Sequence, residues 1–118
     1  MSTIDVANIT DGTDTVATSY VLNGSAKAWV LRTSGGLIAS FNVSSIVDNS
    51  VGNYSYNLTS AMASANAHIS IPVCRTSDDR NASVLINSAS QFTSYSRDIS
   101  ENVMEDSNML ATTHGDLA

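Results

Sequence analysis

The sequence predicts an all-β fold, an antiparallel β-sandwich or jelly-roll-like domain with an extended N-terminal arm, and three observations lead there. Polar and apolar residues alternate with a period of two through much of the chain, most clearly in Tyr54-Ser55-Tyr56-Asn57-Leu58. The alternating stretches are short, about seven to nine in number, and clusters of turn formers separate them at regular spacing. Ser, Thr and Asn together supply roughly a third of the residues, far above their usual share.

Each element follows from its own residues. Ile4 and Val6 flank Asp5 in a first extended segment, which stops at the turn Thr10-Asp11-Gly12-Thr13. Val16, Thr18, Tyr20 and Leu22 share one face of a second strand, closed by Asn23-Gly24. The run from Ala26 to Arg32 reads as a third strand, with small residues opposing Lys27, Trp29 and Leu31. Ser34-Gly35-Gly36 turns the chain, and Leu37 to Val43 returns beside it as a hairpin. Asp48-Asn49-Ser50-Val51-Gly52-Asn53 is a loop of turn formers, and Tyr54, Tyr56 and Leu58 then mark the next strand.

Ala61-Met62-Ala63-Ser64-Ala65 has the composition of one helical turn, too short to stand alone. Ala67 to Arg75 is extended, and Pro72 restricts that strand to an edge or a bulge. A turn over Thr76-Ser77-Asp78-Asp79-Arg80-Asn81 leads to a pair of strands, Ser83–Asn87 and Phe92–Ser96. Residues 98–107 read as a loop and 108–114 as the last strand. The whole divides into residues 1–14, an arm or first strand, and residues 15–118, a single β domain.

Composition excludes several functions. Charged residues are only 14% of the chain, and the net charge is −6, with an isoelectric point near 4.4. Lys27, Arg32, Arg75, Arg80 and Arg97 are scattered, so no basic cluster exists to grip nucleic acid. No apolar stretch is long enough to span a bilayer. Met1-Ser2-Thr3-Ile4-Asp5 lacks the basic and apolar regions of a signal peptide, which predicts synthesis in a cytoplasm. With one Trp, two Phe and four Tyr, large core-forming side chains are few. That scarcity favours a fold completed by neighbouring subunits.

Reactive groups are sparse. His68 and His114 stand far apart, without a Cys-x-x-Cys or His-Glu-x-x-His setting, so no metal and no cofactor are implied. Cys74 is the single cysteine and sits in an apolar run, as a small buried hydrophobe would. Asp11, Gly12 and Asp14 lack the later ligands of a calcium loop. No nucleophile elbow or glycine-rich phosphate loop is present. Enzymatic activity is not expected.

Several segments together carry a resemblance. They are Thr15-Val16-Ala17-Thr18-Ser19-Tyr20-Val21-Leu22-Asn23-Gly24, Ala26-Lys27-Ala28-Trp29-Val30, Ser40-Phe41-Asn42-Val43-Ser44-Ser45-Ile46, Asn57-Leu58-Thr59-Ser60-Ala61-Met62 and the closing Gly115-Asp116-Leu117-Ala118. This pattern resembles small β-rich virion structural proteins of tailed bacteriophages, densely over residues 15–62 and thinly over 63–114. The resemblance implies a capsid decoration (cement) protein on the exterior of the particle, a homotrimer bound to the major capsid protein. A tail- or head-fibre module adhering to a host surface glycan is the alternative. For the decoration role the residues expected at interfaces are Ile4, Val6 and Ile9 in the arm, with Trp29, Tyr54 and Tyr56 in the domain; the fibre role would instead place exposed aromatic and amide residues on loop tips.

Overall fold

A computed structural model describes residues 3, 5–34, 36–75 and 79–118, apart from the side chains at 20 and 23. Of the expected features, Ile4, Gly35 and the turn at 76–78 lie outside the described residues. Eleven strands are described. A small hairpin of β1 (Asn8–Thr10) and β2 (Thr15–Ala17) runs into a helix, α1 (Thr18–Gly24). One sheet contains β3 (Ala28–Thr33), β4 (Gly36–Phe41), β7 (His68–Cys74) and β11 (Met109–Gly115), in the order β4-β3-β11-β7. The other contains β5 (Val43–Ser50), β6 (Asn53–Leu58), β8 (Arg80–Ser88), β9 (Gln91–Asp98) and β10 (Val103–Met104). In it β9 pairs with β8 along one edge and with β6 and β10 along the other.

All pairings are antiparallel, and the two sheets pack face to face as a sandwich. The core between them takes Ala28, Val30, Met109 and Ala111 from the first sheet and Tyr54, Tyr56, Leu58 and Phe92 from the second. Consecutive strands stay together as the hairpins β3–β4, β5–β6 and β8–β9. The chain crosses between sheets at Asn42, whose positive φ of 56° turns it sharply. The Asn42 amide fixes that corner, donating to Lys27 O at 3.0 Å and Ser60 O at 3.1 Å.

The alternating pattern produces most of these strands as expected. Tyr54, Tyr56 and Leu58 point inward on β6 while Asn53 and Asn57 lie towards solvent. Pro72 lies on β7, which within its sheet pairs only with β11, so the missing N–H costs no ladder bond. Four expectations are corrected. The second strand ends at Ala17 because its partner β1 is only three residues long. Thr18 caps that short ladder by donating both N–H and hydroxyl to Ala7 O. With no strand left to pair with, the following backbone satisfies itself as a helix. The loop expected over 48–53 shrinks to Val51-Gly52, because β5 continues to Ser50. The helical turn expected at 61–65 is a 3₁₀ turn displaced to Ala65–Ala67 and capped by the Ser64 hydroxyl. Residues 98–107 contain β10, folded back on β9 through a turn at Asn102 with φ of 57°.

The N-terminal hairpin joins residues 8–10 to 15–17 and lies outside both sandwich sheets. The helix α1 lies against β11, and Lys27 Nζ donates to Leu22 O at its end. The long axis is 53 Å against 28 and 25 Å across, whereas a nine-residue strand spans only about 30 Å. Nearly all the described residues of β1, β2 and α1 are exposed.

Candidate functional site

Inside the sandwich the most unusual group is Arg32, fully buried on β3. Its guanidinium lies over the Tyr54 ring, 3.7 Å from the centroid, an attraction between cation and ring face. Nε donates to the Tyr56 hydroxyl at 3.2 Å and Nη1 to Thr33 O at 3.2 Å, while Nη2 has no partner. Tyr54 in turn donates to Asp106 at 3.0 Å, and the same carboxylate oxygen accepts the Gly52 N–H at 2.7 Å. Burial, then the bond to Asp106, raises the pKa of the Tyr54 phenol. The network braces the closed end of the β5–β6 hairpin, beside a recess of about 190 Å³ lined by Ser34, Gly36, Ile46, Asp48 and Tyr54.

The candidate reactive groups are equally enclosed. His68 and Ser70 project inward from β7, with His68 Nε2 and Ser70 Oγ 3.1 Å apart and Ser70 Oγ 2.8 Å from Thr113 Oγ1. The imidazole packs edge-on to Phe92, centroids 5.8 Å apart, and burial lowers its pKa. A serine beside a histidine is two thirds of a nucleophilic triad, but no described carboxylate orients the ring, and the pair faces packed core. His114 contacts only Thr112, at 3.1 Å, among the described hydrogen bonds. No three of His, Cys, Asp and Glu gather among the described residues.

The outer faces of the two sheets differ completely. On the second sheet, amides and hydroxyls bond to one another across four strands. Asn87 donates to Gln91 at 2.6 Å, Gln91 to Asn57 at 2.8 Å and Asn57 to Ser45 at 2.9 Å. A parallel row joins Asn87 to Thr93, Thr93 to Ser55 and Asn49 to Ser55, each at 2.8 Å. This surface is mostly polar and largely self-satisfied, with Val47 and Leu85 exposed at either end of the Ser55–Thr93 row.

The first sheet is its inverse. Cross-strand register places Phe41, Trp29, Thr112 and Ile71 in one row and Ala39, Leu31, Leu110 and Val73 in the next, with Ile69 beside His114 beyond them. Their exposures are 37% for Trp29, 54% for Phe41, 64% for Ile69, 52% for Ile71, 49% for Val73 and 37% for Leu110. At roughly 200 Å² per large side chain, these fractions leave on the order of 600 Å² uncovered. That is the upper end for a free-standing monomer and typical of an interaction site.

No protein-family profile, curated protein or solved structure matches this chain. The face is therefore read on its physics. Of the residues expected at interfaces, Trp29 lies on this apolar face, and Val6 and Ile9 are exposed on the N-terminal unit. Tyr54 and Tyr56 are corrected: both are core residues, buried by Arg32, Phe92 and the opposing sheet. Sequence reasoning missed Phe41, Ile69, Ile71, Val73 and Leu110. The signal was present on β3 and β4, which carry apolar residues on both faces, as strands covered on both sides do, whereas β7 alternates Ile69, Ile71 and Val73 with His68, Ser70, Pro72 and Cys74.

Proposed function

We propose that this protein works by contact rather than by chemistry, as a bacteriophage virion structural protein of the capsid decoration (cement) type. The observation that carries this reading is the apolar outer face of β4-β3-β11-β7, which a single copy leaves bare. Subunits joined through it would form the homotrimer expected of such proteins, and many copies would clamp adjacent major capsid subunits from outside. Individually weak contacts add up when many copies bind one shell. The resemblance of residues 15–62 to phage virion proteins supplies that setting.

The test compares the native protein with Ile71→Asp, a substitution at a half-exposed position that disturbs no core contact. The native protein is expected to have a trimeric mass and to bind shells stripped of decoration, whereas Ile71→Asp is a folded monomer that binds at least tenfold more weakly. A native monomer without shell binding would refute the reading.

One observation favours the fibre alternative. A recess of about 330 Å³ on the polar sheet is lined by Asn81, Ser83, Tyr95, Arg97 and Met104, groups able to stack on and hydrogen-bond a sugar. Host-cell binding that survives Ile71→Asp and is lost in Tyr95→Ala would select it.

A further inference from the structure

A second apolar surface stands uncovered on the same chain. On the N-terminal unit, Val6, Ile9, Val21 and Leu22 line an open cleft of about 450 Å³ with Asp5 and Thr18. Leu22 is 63% exposed and Val16 also faces solvent. We propose that the N-terminal hairpin–helix of one copy docks on the apolar outer face of β4-β3-β11-β7 in a second copy. This rests on the assembly reading above and names the two surfaces that meet.

Charge selects the arm as the occupant. Residues 1–24 contain Asp5, Asp11 and Asp14 and no lysine or arginine. The four strands of the receiving sheet contain no aspartate or glutamate, and the acid nearest in sequence, Asp116, lies past the end of β11. Arg75 follows β7 at one end of this face; Lys27 precedes β3 at the other, the end at which Asp116 follows β11, and its Nζ donates to Leu22 O and Ser25 Oγ of its own chain. An acidic arm therefore meets a face free of acids within its strands, with Arg75 at one end. Two copies of a chain with net charge −6 repel at long range, so contact is favoured where opposite local charges face each other.

Area points the same way. Face-to-face pairing would cover roughly 600 Å² per subunit and leave the arm bare. The five exposed apolar side chains of the arm add roughly 480 Å² at the same value per side chain. Arm-to-face docking covers both surfaces in every copy, roughly 1,000 Å² per subunit summed over its two contacts, or about 500 Å² per partner at each. Because the two patches differ, the contact is heterologous and closes as a ring, three copies giving the trimer.

The test uses full-length chains on a Cys74→Ala background. A tagged protein carrying Leu22→Cys is mixed with an untagged one carrying Ile71→Cys, and disulfides are allowed to form under mild oxidation. The tagged–untagged species should appear about tenfold faster than the Ile71→Cys homodimer, and the preference should fall in 1 M salt as the charges are screened. Leu22→Asp in the native chain should dissociate the oligomer as fully as Ile71→Asp. If Ile71→Cys couples mainly to itself, or Leu22→Asp leaves the oligomeric mass unchanged, arm docking is overturned while assembly through the face stands. A native chain that sediments as a monomer at about 100 µM overturns both.

Discussion

Two buried groups show what individual residues contribute. Arg32 is wholly enclosed, and no described carboxylate pairs with it directly; Asp106 is reached through the Tyr54 ring and hydroxyl. Removing a cation from water costs several kcal/mol, which a ring face and two neutral acceptors offset only in part. Arg32→Met fills similar volume without that cost and is expected to leave urea stability unchanged or higher by about 1–2 kcal/mol. Arg32→Ala opens a cavity and is expected to lose about 2–4 kcal/mol. Equal losses in both variants would show that the guanidinium stabilises the fold outright. His68 gives the pH dependence. Its folded pKa lies below the ordinary 6.5 because burial disfavours the imidazolium. The unfolded chain therefore takes up this proton first as pH falls. Stability from neutral His68 is complete above the unfolded value and declines as pH drops through 6.5 towards the folded value. Urea midpoints should fall from about pH 7.5 to pH 5.5, and His68→Gln should flatten that slope; an identical slope in the variant would remove His68 as its cause.

At the scale of elements, legibility followed a simple condition. β6, β8, β9 and β11 were readable because each alternates apolar or small core-facing residues with polar outward ones over most of its length, as in Tyr54, Tyr56 and Leu58. β5 was not, because irregularities between Val43 and Ser45 and between Asp48 and Ser50 shift its register twice and break the period of two. α1 was hidden by a sequence that alternates well enough for a strand, and was decided by the length of β1, a property of another segment. β7 shows a different limit. Its alternation was clear, but its phase is the reverse of what hydrophobicity alone assigns. His68, Ser70, Pro72 and Cys74 face the core, while Ile69, Ile71 and Val73 face out. β3 does the same, burying Ala28 and Val30 under Arg32's row and presenting Trp29 and Leu31. A slip of one residue would bury the isoleucines, but the inward row is held by Phe92 against His68 and by Thr113 bonded to Ser70. The candidate interface was therefore only partly visible: the sequence showed apolar residues on both faces of β3 and β4, and the register decided which face stayed bare.

For the whole molecule, these inverted strands become a surplus of surface. The chain exposes 7089 Å², whereas a compact monomer of its mass, 12.4 kDa, exposes about 6,100 Å². Its radius of gyration of 16.7 Å likewise exceeds the roughly 13–14 Å of a compact domain this long. The excess of about 1,000 Å² is comparable to the combined area of the bare sheet face and the arm. Burying it is worth on the order of 20 kcal/mol per subunit by apolar area alone, from which the loss of rigid-body freedom and the ordering of side chains must be subtracted. A fold that is stabilised by its neighbours has a stability that depends on their concentration. The apparent melting temperature of the native chain should therefore climb by several degrees between about 1 and 100 µM, because unfolding must first release the partner. Ile71→Asp and Leu22→Asp, which break the same contact from opposite sides, should each melt at one temperature across that range. Scanning calorimetry on the three proteins makes the comparison, and a native melting point independent of concentration would mean that the surplus surface does not hold copies of this chain together.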